Sequence, residues 1–242
     1  MISLESNVFD LLVLGIFLAV LIAVFSAYNT FAKEKQSLQL LEILVGILEA
    51  DDPNLDGHSL HVHNLCMAIY EFLPYSYRIK VRQRDLHYAS LLLDIGKLAI
   101  PRDILGYSGK LGQSQWEIVK KHPDLGTGIL HDIDGFTKVK EYILYHHERI
   151  DGKGYHQLEG EQIPLGARII AVADTYSAIT MNRSYRATLP YAAAVSELKL
   201  AAGKQLDEYL VKVFCSIPMN KIDECMEDVR RKMDRFSYEG KD

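Results

Sequence analysis

The sequence predicts an all-α protein carried behind one membrane-spanning helix. Three observations predict it. Residues 11–32 form a stretch of 22 residues without one charge. Apolar residues recur at helical spacing through much of the remaining chain, as in Leu86, Ala89, Leu92 and Leu93, and again in Ile118, Val119, Leu125 and Ile129. Nowhere do β-branched residues alternate with polar ones over a strand's length.

Composition sets the outer bounds. Apolar residues make up 48% and charged residues 24%, with 16 glycines and 7 prolines in 242 residues. This is a globular composition, with chain enough for a sizeable core. The net charge of −5 excludes a generally basic binder of nucleic-acid duplexes. Three cysteines, Cys66, Cys215 and Cys225, are too few for a disulfide framework and suit a reducing compartment.

The first element is the expected span. Residues 1–10 are expected to be a short extracytoplasmic N-terminus, and Leu11–Phe25 is apolar throughout. As a helix, residues 11–32 rise about 33 Å, enough to cross a hydrocarbon core. A cleaved signal peptide would open with basic residues, whereas Glu5 and Asp10 stand here. Lys33 and Lys35 follow the span, so the positive-inside bias places the rest of the chain in the cytoplasm.

Residues 33–40 read as a juxtamembrane linker helix. Leu38, Leu41, Val45 and Leu48 are spaced 3, 4 and 3 apart. Two heptads are too short to specify a coiled coil, so the stripe is expected to face the chain's own core. Pairing with a second copy, giving a homodimer, is the alternative.

Further helices are expected at 37–51, 57–73, 79–95, 114–130, 137–147, 166–180, 190–202 and 206–216. Asp52-Pro53 ends the first of these, because the residue before proline is pushed out of the α region. Pro101, Gly106, Gly109 and Gly112 break the chain after the third. Gly152, Gly154, Gly160 and Pro164 mark a second long loop. Residues 217–242 read as a charge-rich helical tail.

All nine histidines lie between positions 58 and 156. His61, His63, His87 and His131, taken singly, read as ordinary surface or core residues. Asp94 in LLLDIGKLAI and Asp174 in AVADTYSAIT are acids inside apolar helical runs. A buried acid is costly unless paired or metal-bound. With the His146-His147 pair, they point to a divalent-metal site of imidazole and carboxylate.

The order of the blocks resembles the HD-GYP family, bacterial metal-dependent phosphodiesterases of cyclic di-GMP. The likeness runs from about Leu41 to Phe214. It rests on Glu49–Ser59 (EADDPNLDGHS), Ala89–Asp103 (ASLLLDIGKLAIPRD), Gly109–Gly126 (GKLGQSQWEIVKKHPDLG), Tyr145–Gly166 (YHHERIDGKGYHQLEGEQIPLG), Arg168–Arg186 (RIIAVADTYSAITMNRSYR) and Gly203–Phe214 (GKQLDEYLVKVF).

The resemblance implies an HD-type helical bundle over 41–216. It implies metal ligands at His58, Asp94, His122, His146, His147 and Asp174. Asp94 would be shared between one ion held with His122, His146 and His147 and a second held with His58 and Asp174. The cofactor is then one or two divalent ions, iron or manganese. Asp94 and Lys97 would be catalytic. Lys97, Arg183 and Arg186 would contact the phosphates of a cyclic dinucleotide, and Tyr155 would stack on its base. The place implied is the bacterial inner membrane, single-pass, with the bundle in the cytoplasm.

Departures from the family pattern accompany these matches. Leu93-Asp94 stands where the family has His-Asp, and leucine cannot coordinate a metal. The GYP triplet reads Gly154-Tyr155-His156. Asn54 stands where three-metal members carry glutamate, His61 where arginine is usual, and Ser177 where the family has a second acid. His61, one turn from His58, is the best substitute for the absent ligand; His87, about 10 Å along the helix from Asp94, is too distant. The function expected is a membrane-anchored phosphodiesterase opening cyclic di-GMP, or a related dinucleotide, to pGpG or GMP. The alternative is a catalytically impaired receptor or scaffold, because of Leu93.

Overall fold

The computed structural model describes residues 2–50, 57–107, 109, 111–181 and 188–236. Twelve α-helices are named among them: α1 Ile2–Ala50, α2 His58–Phe72, α3 Tyr75–Arg78, α4 Gln83–Leu91, α5 Arg102–Leu105, α6 Gln113–Val119, α7 His122–Ile129, α8 Thr137–Leu144, α9 Leu165–Thr180, α10 Tyr191–Ala201, α11 Glu208–Ser216 and α12 Met219–Phe236. Two 3-10 turns, Ile95–Ala99 and Gly160–Gln162, complete the order. The only extended pairings among the described residues are isolated bridges, Asp151 with Glu159 and Ala202 with Leu206. The all-α expectation holds.

The chain divides into two compact units, Met1–Leu41 and Glu42–Asp242. In the first, α1 exposes large apolar side chains such as Ile16, Leu21, Ile22 and Phe25. Among the described residues, no helix is long and apolar enough to cross a membrane. The side chains of 1–15, 17 and 18, which include the start of the expected span, lie outside the described residues.

In the second unit α2 is the central helix, against α4, α9, α11 and α12. It buries Leu60, Val62, Leu65, Cys66 and Ile69, so little of its circumference is free for solvent. Each such large side chain contributes roughly 1.5–3 kcal/mol by leaving water. Gly57 starts α2 at φ 82°, and a Cβ there would lie against Val229 of α12.

The core-facing stripe at the end of α1 differs from the expected leucine seam. Val45 is buried, but Leu48 is 51% exposed. Two glutamates lie with Val45 and Gly46 on the inward side. Glu42 Oε2 accepts from Lys232 Nζ at 2.7 Å, and Glu49 accepts from the Ser59 backbone N–H at 3.0 and 3.2 Å. Polar partners, not apolar area, therefore set which way this turn of α1 faces. Burial pushes the Glu49 carboxyl up to about 7, against the Ser59 hydrogen bonds.

Two expected helices are cut short. The third ends at Leu91, with Asp94 at φ −102° and ψ 7° before a 3-10 turn. The expected 114–130 helix breaks at Lys120–Lys121 and restarts at His122 with proline in its first turn. Pro123 has no N–H to donate, so it fits a new start better than a helix interior.

Candidate metal centre

Five segments converge on one pocket. α2 supplies His58 as its first residue, the turn after α4 supplies Asp94 and Lys97, and α7 supplies His122 as its first residue. His146 and His147 follow the end of α8 at Leu144, and α9 supplies Asp174. The 3-10 turn can approach α7 only because residue 96 is glycine: a Cβ there would collide with the His122 carbonyl and Gly126 N–H. That approach sets Asp94 Oδ1 3.4 Å from His122 Nε2.

His122, His146 and His147 each offer a ring nitrogen within 4.8 Å of the others, a set that could hold a metal ion. The hydrogen bonds explain why. His122 Nδ1 donates to the Val119 carbonyl at 2.9 Å, and His146 Nδ1 to the Ile143 carbonyl at 2.6 Å. Both rings then carry the proton on Nδ1 and leave Nε2 as a lone pair. The two Nε2 atoms lie 3.4 Å apart. Two lone pairs and a carboxylate oxygen facing one another repel unless a cation lies among them. Burial pushes His122 down to about 4 and lowers His146 and His147, so neutral, ligand-ready imidazole prevails near neutral pH.

A second group faces the other Asp94 oxygen. His58 Nε2 lies 3.0 Å from Asp174 Oδ1 and 4.0 Å from Asp94 Oδ2. Lys97 Nζ donates to Asp94 Oδ2 at 2.6 Å. Burial alone would raise the Asp94 carboxyl, but Lys97 with His122, His58 and His146 holds it well below the usual carboxylate range. Asp174 is likewise lowered despite its burial, chiefly by His58. All six residues the resemblance nominated are therefore close together, with Lys97 beside them.

Leu93 is fully buried among core side chains, so the departure from His-Asp is packed as part of the core. His61 Nδ1 pairs with Ser177 Oγ at 3.0 Å, and its Nε2 has no hydrogen-bond partner among the described residues. His87 lies beside His63, with ring centroids 5.0 Å apart. Arg183, Arg186 and Asn54 lie outside the described residues.

The Gly154-Tyr155-His156 loop is held by a residue that reads in sequence only as an acid beside two histidines. Glu148, itself buried, accepts from the His156 N–H at 2.5 Å and the Leu158 N–H at 2.7 Å. Proline at 156 could not make the first of these bonds. A Cβ at Gly154 would strike the Glu148 backbone, which accounts for that glycine. The loop sets the Tyr155 ring 4.9 Å from that of His147, with Lys120 Nζ 6.0 Å from the Tyr155 centroid. Burial, with Asp174 and Asp94 nearby, pushes the Tyr155 phenol up to about 12, so it stays neutral.

Comparison with known proteins gives this arrangement a family. The HD domain family model matches residues 42–210. A cyclic di-GMP phosphodiesterase of Thermotoga maritima is 32% identical over 211 residues, covering 86% of this chain and 54% of that protein. A 3'3'-cGAMP-specific phosphodiesterase of Vibrio cholerae is 33% identical over 181 residues, covering 73% of this chain and 34% of its own length. This chain thus spans about half or less of these curated relatives. Among solved structures, an HDG"Y"P protein from Bdellovibrio bacteriovorus shares the fold, with a TM-score of 0.54 at 20% identity, over 67% of this chain and 52% of that one. The chain belongs to the HD domain family.

Proposed function

We propose that this chain is a metal-dependent phosphodiesterase that opens cyclic di-GMP, or a related cyclic dinucleotide, to a linear product. One observation carries the reading: the Nε2 lone pairs of His122 and His146 converge at 3.4 Å beside Asp94, an arrangement that calls for a cation. His122, His146, His147 and Asp94 would hold that ion; His58 and Asp174, sharing Asp94, would hold a second more weakly, since Leu93 contributes nothing. A divalent ion, iron or manganese, supplies Lewis acidity toward a phosphate oxygen. Lys97 stands where it can neutralise charge on the phosphate, with Arg183 and Arg186 as further phosphate contacts, bidentate in the arginine manner. Tyr155 offers its ring to the base. A water oxygen adds to phosphorus, one ribose oxygen leaves with a proton, and the ring opens. The test is product chromatography after incubating cyclic di-GMP and cyclic GMP-AMP with the manganese-loaded chain. Linear dinucleotide from at least one is expected; both returned intact would refute the reading.

The second reading is a cyclic-dinucleotide receptor. Buried Leu93, in place of a ligand, is the observation that favours it.

The reading includes a single-pass anchor in the bacterial cytoplasmic membrane with the HD-GYP region in the cytoplasm. Its support is the uncharged stretch 11–32 and the exposure of Val20, Leu21, Val24, Phe25 and Phe31 on α1. The full chain should stay in the membrane pellet through carbonate washing. Its release into the wash would exclude a span. A second copy, pairing along exposed Ile43, Leu44, Ile47 and Leu48, is the protein partner we propose as the alternative to a single chain.

A further inference from the structure

Ser177 is fully buried between His58 and His61 of α2. Its Oγ lies 2.9 Å from His58 Nδ1 and 3.0 Å from His61 Nδ1. The same hydroxyl points at Met181 Sδ, 3.2 Å away. A hydroxyl has one proton and two lone pairs. With its proton on Met181, it can accept from both ring nitrogens.

His61 fixes the direction of one of these bonds. Its Nε2 is buried and has no hydrogen-bond partner among the described residues. An N–H there would be left unsatisfied at full desolvation cost, so the ring proton belongs on Nδ1, facing Ser177. Burial lowers His61 to about 3, which keeps the ring neutral with a single proton. His58 is the case of consequence. Its Nε2 faces Asp174 Oδ1 and Asp94 Oδ2. Without an ion, the 3.0 Å contact with Asp174 takes the Nε2 proton, since a carboxylate only accepts; to bind an ion shared with these acids, Nε2 must instead offer a lone pair, with the proton on Nδ1. For His122 and His146 a backbone carbonyl takes that proton; for His58 only a side chain does so.

We infer that Ser177 is a positioning residue: when an ion is bound, its hydroxyl oxygen accepts from Nδ1 of both His58 and His61 and so frees the His58 Nε2 lone pair for an ion shared with Asp174 and Asp94. His61 and Ser177 thus form an uncharged pair that does this orienting. The inference rests on reading His58 as a metal ligand, and its test separates the two.

Manganese binding and melting temperature are measured on the full chain in detergent, for wild type, His58→Ala, Ser177→Ala and Ser177→Thr. Loss of an outer partner of a ligand costs about 10–100-fold in metal affinity. Ser177→Ala should weaken the binding step that His58→Ala removes by at least about tenfold. Ser177→Thr, which keeps the hydroxyl, should restore it, and the melting temperature of Ser177→Ala should not track the loss. If His58→Ala loses metal while Ser177→Ala binds as wild type, the positioning role is overturned. If His58→Ala itself binds as wild type, the ligand reading of His58 fails and this inference with it. A second measurement needs no variant: imidazole 15N shifts of metal-free wild type should place the His61 proton on Nδ1. A proton on Nε2 would overturn the shared-hydroxyl geometry.

Discussion

Asp94→Asn should cost the chain its bound metal and about a thousandfold of its hydrolytic rate. The side chains are nearly isosteric, so packing is preserved while the charge goes. Asp94 Oδ1 faces His122 Nε2 at 3.4 Å and Oδ2 takes Lys97 at 2.6 Å, so both halves of the pocket use this one carboxylate. A metal's Lewis acidity is worth several kcal/mol, and about 4 kcal/mol is roughly a factor of a thousand in rate. The assay pairs initial rate with metal content of the same sample. A variant that keeps its metal and stays within tenfold of wild type would remove Asp94 from the centre.

Leu93→His should act in the opposite direction. One ion per chain is expected as purified, held on the His122, His146 and His147 side, where the ring nitrogens already converge. His58 Nε2 lies 3.0 Å from Asp174 Oδ1 but 4.0 Å from Asp94 Oδ2, so that side is the poorer site. A histidine at 93 adds a ligand beside Asp94. Bound metal should rise toward two per chain and hydrolysis by at least about tenfold, by comparison with the 10–100-fold cost of losing even an outer partner. Tenfold is about 1.4 kcal/mol of barrier. Leu93 is wholly buried, so the imidazole also enters a packed core, and overpacking costs about 1–3 kcal/mol. Melting temperature must accompany the metal count. Two metals and full turnover in wild type would show that Leu93 limits nothing; a folded, doubly loaded but inactive Leu93→His would favour the receptor reading.

The sequence was most legible where the chemistry is local. Apolar periodicity foretold helices, and ordered blocks nominated His58, Asp94, His122, His146, His147 and Asp174, which the fold brings into one pocket. Periodicity was less informative where polar contacts override it. The end of α1 faces inward through Glu42 and Glu49, whose partners Lys232 and Ser59 are distant or unremarkable in sequence. The break before His122 was signalled by Pro123, but the apolar stripe through Val119 and Leu125 masked it. Glu148 and Ser177 could not be assigned from sequence, because their roles depend on a loop folding back and on two helices meeting. The exposed apolar face of Ile43, Leu44, Ile47 and Leu48 illustrates the same limit: a stripe shows that a face is apolar, not what covers it.

On the reading proposed above, the histidine-lined centre makes this chain a metal-dependent hydrolase of a cyclic dinucleotide. The most direct test is one manganese titration of the full chain in detergent. Initial rate of linear dinucleotide formation is plotted against ions bound per chain. The rate should be absent in the metal-free chain and should rise with occupancy of the first ion. A chain that carries its metal and binds cyclic dinucleotide, yet forms no linear product at any occupancy, would not be a hydrolase.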